Sequence, residues 1–100
     1  MCVEDLFKAL SCRWRIAIVK MVTREPLCQC EMEHLFPIDK TSLSRHVKAL
    51  RIAGIVAEET QGQMKKIHLR DPRILELIAL AEAITGDRVS ETKDSAPEEE

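Results

Sequence analysis

The 100-residue chain is long enough for one domain with a modest hydrophobic core. Apolar residues make up 45% of it and charged residues 32%, which excludes a wholly disordered protein, and no apolar run approaches the roughly 20 residues needed to span a bilayer. The N-terminus carries Glu4 and Asp5 and has no signal-peptide pattern. The sequence therefore predicts a cytoplasmic protein without a membrane partner.

The formal net charge of −2 is unevenly distributed along the chain. Residues 86–100 contain six acidic and two basic residues, whereas residues 40–70 contain seven basic and two acidic ones, a local net charge of +5. We expect 1–85 to form the folded domain and 86–100 an acidic, disordered tail. A basic segment on a nearly neutral domain is typical of a nucleic-acid-binding surface.

Three helices are predicted before residue 37. Apolar residues between Val3 and Leu10 recur at i, i+3, i+4 and i+7, which indicates an amphipathic first helix. The segment Arg13–Thr23 is apolar around much of its circumference, so we expect a buried helix that ends before Pro26. Leu27–Phe36 is predicted as a short third helix whose inner face carries Met32, Leu35 and Phe36.

A fourth helix is predicted over Asp39–Ala53, with Asp39 as its N-cap and Gly54 just past its end. Its apolar residues would point into the core, and its other face carries Thr41, Ser44, Arg45 and Lys48. This face could be ordinary solvated surface, or it could suit the major groove of DNA, where phosphates attract cations and base edges accept hydrogen bonds. Two helices joined by about three residues, the second with a cationic face, favour a helix-turn-helix.

The periodicity changes after Gly54. Ile55–Thr60 and Met64–Arg70 are predicted strands around a turn at Gly62, and the second strand alternates apolar and basic residues. The hairpin could be an ordinary surface element, but the local positive charge favours a wing that contacts DNA.

The last helix is predicted from Asp71-Pro72 to Gly86. It has few polar positions, so it should be buried on two sides, against its own core and against a partner. We therefore predict a mainly α winged helix-turn-helix with a small β-hairpin, in the order α-α-α-α-β-β-α, that dimerises through its first and last helices.

Four cysteines occur, and we expect them to be reduced thiols: Cys2, Cys12, Cys28 and Cys30. Thiolates are soft ligands that select thiophilic ions. On a regular helix, residues two apart point about 200° from each other, so Cys28 and Cys30 could share an ion only if the start of their helix is unwound. A thiol redox switch and inert buried cysteines are the alternatives.

Several segments together resemble the ArsR/SmtB family of dimeric, metal- or thiol-responsive winged-helix repressors: LFKALS (6–11), LCQCEM (27–32), SLSRHVKALRIAGIV (42–56) and IHL (67–69) after the Gly62 turn. The resemblance implies DNA contacts from residues on or beside the recognition helix and on the wing: Lys40, Thr41, Ser42, Ser44, Arg45, His46, Lys48, Lys65 and Lys66.

The same resemblance extends to the effector site. Cys28-Gln29-Cys30 resembles the Cys-Val-Cys that supplies thiolates in the family's arsenic, cadmium and lead sensors. Two thiolates are too few for such a site, and the resemblance suggests that Cys2 from the other subunit, or Cys12, completes it. The family's zinc site on the last helix is absent, since 71–85 contains no histidine.

We accordingly predict a homodimeric repressor that needs no cofactor to bind DNA and that leaves its operator when a thiophilic ion (arsenite, Cd, Pb or Zn) binds near Cys28 and Cys30. No Ser/His/Asp or paired-carboxylate arrangement favours an enzyme. The alternatives are a redox-sensing winged-helix regulator and a winged-helix module that binds protein. Repression, rather than activation, is what the resemblance implies.

Overall fold

The computed structural model describes residues 1–89. Five helices and three strands follow one another in the order α1 (Val3–Ala9), α2 (Arg13–Arg24), β1 (Leu27–Cys28), α3 (Gln29–Met32), α4 (Lys40–Ile52), β2 (Val56–Gln61), β3 (Met64–Leu69) and α5 (Arg73–Thr85). Apart from β1, this is the predicted order, and the winged helix-turn-helix is confirmed. No described helix has both the length and the apolarity to cross a bilayer.

The core lies between α2, α4 and the sheet. Ile18 and Val19 of α2 are fully buried together with Leu43 and Leu50 of α4, and Ile67 brings β3 against them. The predicted periodicities of these elements are thereby confirmed, because the apolar positions of each helix converge on one cluster.

The third helix was predicted to start at Leu27, and this prediction is wrong, because α3 starts at Gln29. Pro26 has no backbone N–H and restricts the residue before it, so Glu25 is extended (φ −165°, ψ 149°) and the chain leaves α2 as a strand. Leu27 pairs with Ile67 and Cys28 with Lys66, which adds β1 to the hairpin in the order β1-β3-β2. The wing is therefore part of a three-stranded antiparallel sheet.

Helix α3 is also shorter than predicted, because it ends at Met32 and residues 33–38 form turns and bends. Met32 and Phe36 nonetheless face the core, and the Phe36 ring meets Trp14 edge-on at a centroid distance of 5.7 Å. The predicted inner face is thus retained without a continuous helix.

The hairpin of β2 and β3 turns at Gly62, which has a φ of +64° that side chains with a Cβ adopt at a cost. The register pairs Gln61 with Met64, so Gln61 belongs to β2 and not to the turn as predicted. The predicted hairpin itself is confirmed.

Helix α5 begins after Pro72 and ends at Gly86. Ile74 and Ile78 are buried, while Leu80 and Ile84 are 60% and 76% exposed. An apolar helix thus covers the core with one side and presents apolar side chains on another, as the sequence predicted.

The described chain beyond α5 packs against the domain. Val89 is buried, its carbonyl accepts from Lys20 Nζ (2.8 Å), and its N–H donates to Glu82 Oε2 (2.8 Å). Lys20 also binds Glu82 Oε2 directly at 2.8 Å. Residues 90–100, which carry most of the predicted disordered tail, lie outside the described residues.

The contact between the buried Lys20 and the partly buried Glu82 makes the stability depend on pH. Burial alone would raise the pKa of the Glu82 carboxyl, but hydrogen bonds from Lys20 and Val89, together with the charge of Lys20, hold that pKa below its ordinary value of 4.5. Because the folded-state pKa is lowered, the stabilisation is fully present above pH 4.5 and is lost as the pH falls through the folded value.

We expect Glu82→Gln to lower the free energy of unfolding at neutral pH by about 1–3 kcal/mol, because Lys20 loses its counter-charge. The difference from the unmodified protein should shrink below pH 4.5 in urea titrations at stepped pH. Glu76→Gln, an exposed position on the same helix, is the control and should change stability by less than about 0.5 kcal/mol. A difference that is constant from pH 7 to pH 3 would contradict the assignment.

Candidate nucleic-acid interface and cysteine site

The start of α4 is fixed by Asp39. Its Oδ2 accepts the Ser42 backbone N–H at 3.1 Å, and its Oδ1 accepts the Ser42 hydroxyl at 2.7 Å. These hydrogen bonds from Ser42 lower the pKa of the Asp39 carboxyl, which is therefore ionised at neutral pH. The predicted N-cap is confirmed, and the Ser42 hydroxyl is hydrogen-bonded to the capping carboxylate.

A shallow groove of about 510 Å³ runs between α3 and α4 and collects most of the predicted recognition-helix residues. On the α4 side all five lining residues are exposed: Lys40, Thr41, Ser44, Arg45 and Lys48. On the other side lie Gln29 and Glu33. Three cations and two hydroxyls on one exposed surface can contact both phosphates and base edges.

His46 lies behind this surface and not on it. It is partly buried, and its Nδ1 accepts a hydrogen bond from Arg15 Nε at 3.2 Å. Burial lowers the pKa of His46, and the charges of Arg15 and Arg45 lower it further, so the ring is neutral at pH 7. The structure thus places His46 where it links α4 to α2.

The two predicted wing lysines have different surroundings. Lys65 is exposed, whereas Lys66 is only 19% exposed in its side chain and its Nζ binds Glu31 Oε1 at 3.1 Å. On the neighbouring strand, Glu59 lies 3.8 Å from His68 Nε2. The positive face predicted for the second strand is therefore partly neutralised at Lys66, whereas the exposed Lys65 lies on the opposite face of the strand.

Cys28 and Cys30 form a disulfide bond, which corrects the expectation that all four cysteines are reduced thiols. The physical reason is local. Cys28 is not helical: it ends β1 with extended backbone angles (φ −83°, ψ 158°) and is the N-cap of α3. Because Cys28 lies outside the helix, its sulfur can approach that of Cys30. The same backbone geometry would place two reduced thiolates side by side.

The Cys28 sulfur also takes part in a capping box. It accepts the Glu31 backbone N–H at 3.3 Å, while Glu31 Oε1 accepts the Cys28 backbone N–H at 2.8 Å. The hydrogen bond from Cys28, followed by that from Lys66, lowers the pKa of the Glu31 carboxyl. The Cys-x-x-Glu spacing was visible in the sequence as a capping-box pattern with cysteine in place of serine, and sequence reasoning missed it.

The other two predicted ligands are free cysteines. Cys2 is exposed and precedes α1, and Cys12 is the partly buried N-cap of α2. Within residues 1–89 no three His, Cys, Asp or Glu side chains of one chain are grouped as a metal site. Within residues 1–89 of one chain, neither Cys2 nor Cys12 is therefore grouped with the Cys28–Cys30 pair as a metal site, and completion of the site by Cys2 of a second subunit stays a prediction.

Comparison with known proteins agrees with this geometry. Residues 14–58 match the family described as bacterial regulatory protein, arsR family. The arsenical resistance operon repressor of Bacillus subtilis is 30% identical over 77 residues, which are 76% of this chain and 73% of that protein. The chain belongs to the arsR family. It is thus a winged helix-turn-helix transcriptional regulator that binds DNA.

Other members show how far the similarity extends. The repressor SmtB of Mycobacterium tuberculosis is 29% identical over 83% of this chain and 62% of its own length. The cadmium resistance regulator CadC of Listeria innocua is 28% identical over 78% of this chain and 66% of its own length. The M. tuberculosis Rv0081 structure aligns with a TM-score of 0.74 and 26% identity over 83% of this chain and 84% of that one. These sequence relatives are transcriptional regulators, none of them named as an enzyme.

Proposed function

We propose that this protein is a homodimeric repressor that leaves its operator when a thiophilic ion (arsenite, Cd²⁺, Pb²⁺ or Zn²⁺) binds Cys28 and Cys30. One observation carries the proposal: Gln29, the residue between the two cysteines, lines the same groove as the cations of α4. A change at the cysteines therefore takes place in one wall of the proposed DNA surface. A DNA-binding regulator of this family would act in the cytoplasm.

The exposed residues of the groove are proposed as the DNA contacts. Lys40, Arg45 and Lys48 carry the charge for phosphates, and Thr41 and Ser44 lie near the start of α4, where a recognition helix reaches base edges. Lys65 would add a phosphate contact from the wing. Ser42 and His46 would support this surface, because their polar atoms are bound by Asp39 and Arg15.

The homodimer is supported by the apolar surface of α1 and α5. Phe7 is 55% exposed and Ile84 76% exposed, and a cavity of about 270 Å³ opens between α1, α2 and α5. Exposed apolar side chains of this size on two neighbouring helices suit burial against a second copy. A winged-helix domain from Mycobacterium bovis described as homodimeric has the same fold, with a TM-score of 0.74 and 19% identity over 84% of this chain and 78% of that one.

For the effector, Cys28 and Cys30 supply two of the ligands that a soft ion needs. The sulfurs of Cys28 and Cys30 converge, and reduced thiolates there would chelate an arsenic or cadmium centre. Further ligands must come from elsewhere, since the described chain groups no third one. We propose Cys2 of the partner subunit, because Cys2 is exposed on the segment before α1 and α1 belongs to the proposed interface. Cys12, at the start of α2, is the alternative.

A second candidate function is redox sensing, which the Cys28–Cys30 bond favours. A peroxide would oxidise one thiolate to a sulfenic acid and be reduced to water or an alcohol; the other thiol would then attack that sulfur and release water as the S–S bond forms. Both candidates use the same cysteine pair, so a single set of variants distinguishes them.

The DNA surface is tested by Arg45→Ala. We expect weaker binding to a duplex selected from random-sequence DNA by the reduced protein, by about 1–3 kcal/mol, and a shallower dependence of affinity on salt. Arg73→Ala removes an equal charge from α5, where Arg73 binds Asp71, and serves as the control. Equal losses in the two variants would contradict the assignment of α4.

The dimer is tested by Ile84→Lys. The charge would lie in the proposed interface, so we expect sedimentation equilibrium to shift from dimer towards monomer while the circular dichroism spectrum stays helical. Ile52→Lys is the matched control, because Ile52 is equally exposed (75%) but belongs to α4. Dimers of unchanged stability in Ile84→Lys would contradict this interface.

The effector proposal is tested with Cys28→Ser/Cys30→Ser. The unmodified reduced protein should lose operator affinity with arsenite or Cd²⁺, by a typical factor of roughly 5–150, and the double variant should not respond. A response to peroxide, reversed by dithiothreitol, with no response to either ion would favour the redox candidate instead. Cys2→Ser and Cys12→Ser each test one candidate for the further ligand, and the effector proposal is wrong if the Cys28→Ser/Cys30→Ser variant responds like the unmodified protein.

A further inference from the structure

The wing is attached to the cysteine-bearing segment through the sheet. Cys28 lies opposite Lys66 and Leu27 opposite Ile67 in the β1–β3 register. Strand β3 is central in the order β1-β3-β2, so it pairs along one edge with β1, which ends at Cys28, and along the other with β2. A displacement of β1 therefore acts on the strand that carries Lys65 and Lys66.

One carboxylate oxygen joins the two sides of this contact. Glu31 Oε1 accepts the Cys28 backbone N–H at 2.8 Å and the Lys66 ammonium at 3.1 Å. The Glu31 backbone N–H in turn donates to the Cys28 sulfur at 3.3 Å. Glu31 is thus bound to the sulfur and the backbone of Cys28 and to a side chain of the wing strand at the same time.

We propose that Glu31 and Lys66 are positioning residues that couple the state of the Cys28–Cys30 pair to the wing. This inference rests on the proposed function, because it assigns the route by which the cysteines regulate DNA binding. A reaction or ligand at the Cys28 sulfur changes the acceptor of the Glu31 N–H, and with it the carboxylate that holds Lys66. Lys65, which precedes Lys66 on β3, then changes position relative to α4.

Neighbouring charges do not provide the same link. Glu59 lies directly opposite Lys66 in the β2–β3 register, yet its carboxylate lies beside the His68 ring, at 3.8 Å from Nε2. Lys65 is exposed, and its side chain lies on the other face of the strand from that of Lys66. Glu59 is therefore the matched control: the same residue type as Glu31, on the strand that pairs with β3, without a contact to α3 among the described interactions.

The test measures coupling as the ratio of operator dissociation constants with and without Cd²⁺ alone, in reducing buffer. Glu31→Gln keeps an amide oxygen for the Cys28 N–H but removes the charge that binds Lys66, and Lys66→Met keeps the length of the side chain. We expect each to reduce the ratio by about 2- to 30-fold, the range over which substitutions change coupling. Glu59→Gln should leave the ratio unchanged, whereas Lys65→Met should weaken binding mainly without Cd²⁺ and so reduce the ratio, because it removes the DNA contact that the coupling moves.

Two further readouts separate coupling from simple destabilisation. The thiolate-to-Cd absorbance titration and the thermal midpoint of Glu31→Gln should match those of the unmodified protein. The double variant Glu31→Gln/Lys66→Met should lose no more of the ratio than either single variant, because both interrupt one contact.

The outcomes distinguish this inference from the proposed function. An unmodified protein that responds to none of arsenite, Cd²⁺, Pb²⁺ and Zn²⁺ would overturn both, and if it responds to one of these other than Cd²⁺, that ion replaces Cd²⁺ in the test. If the unmodified protein responds and Glu31→Gln responds equally, the inference alone is wrong. It is equally wrong if Glu59→Gln reduces the ratio as much, or if Glu31→Gln loses the absorbance signal, since Glu31 would then act on ion binding itself.

Discussion

The break that Pro26 makes in the chain determines the geometry on which the remaining features depend. Because proline lacks an N–H and disfavours a helical residue before it, α2 cannot continue into α3 and the chain becomes extended. The extended segment pairs with β3, and its last residue, Cys28, caps α3. Had a helix continued through Leu27, the two cysteine side chains would point about 200° apart. The strand instead brings their sulfurs together and attaches them to the sheet.

This placement gives the cysteine pair two neighbours that matter for DNA binding. Through Gln29 it borders the groove of α4, and through Glu31 it contacts Lys66 of the wing strand. The proposed coupling is of ordinary size, since one to three kcal/mol is typical between two sites and a few hydrogen bonds to a charged group supply that much. A regulator with both contacts can change its recognition helix and its wing together.

The elements that the sequence predicted well are those determined by nearby residues. Helix α4 follows from Asp39 three residues before Ser42 and from Gly54 after its end, and the hairpin follows from Gly62. The exposed cations of α4 could be named for the same reason. Strand β1 could not, because two residues become a strand only by pairing with Ile67 and Lys66, about forty positions away.

The same distinction between nearby and distant partners applies to the individual site residues. His46 and Lys66 were both predicted as DNA contacts, yet their described polar partners are Arg15 and Glu31, which are 31 and 35 positions distant. A spacing pattern does not reveal such partners, whereas the fold does. Cys2 represents a different limit, since a ligand supplied by a second subunit cannot be placed within one chain.

The proposed function depends on control of DNA binding by the Cys28–Cys30 pair. The most direct measurement is one titration of the reduced protein, bound to labelled operator, with Cd²⁺, recording thiolate-to-metal absorbance and fluorescence anisotropy in the same sample. Control by this pair predicts that the anisotropy falls in step with the rise in absorbance and that both reach their end points at the same amount of added ion. Absorbance that saturates while the DNA stays bound, or DNA release without thiolate absorbance, would contradict it.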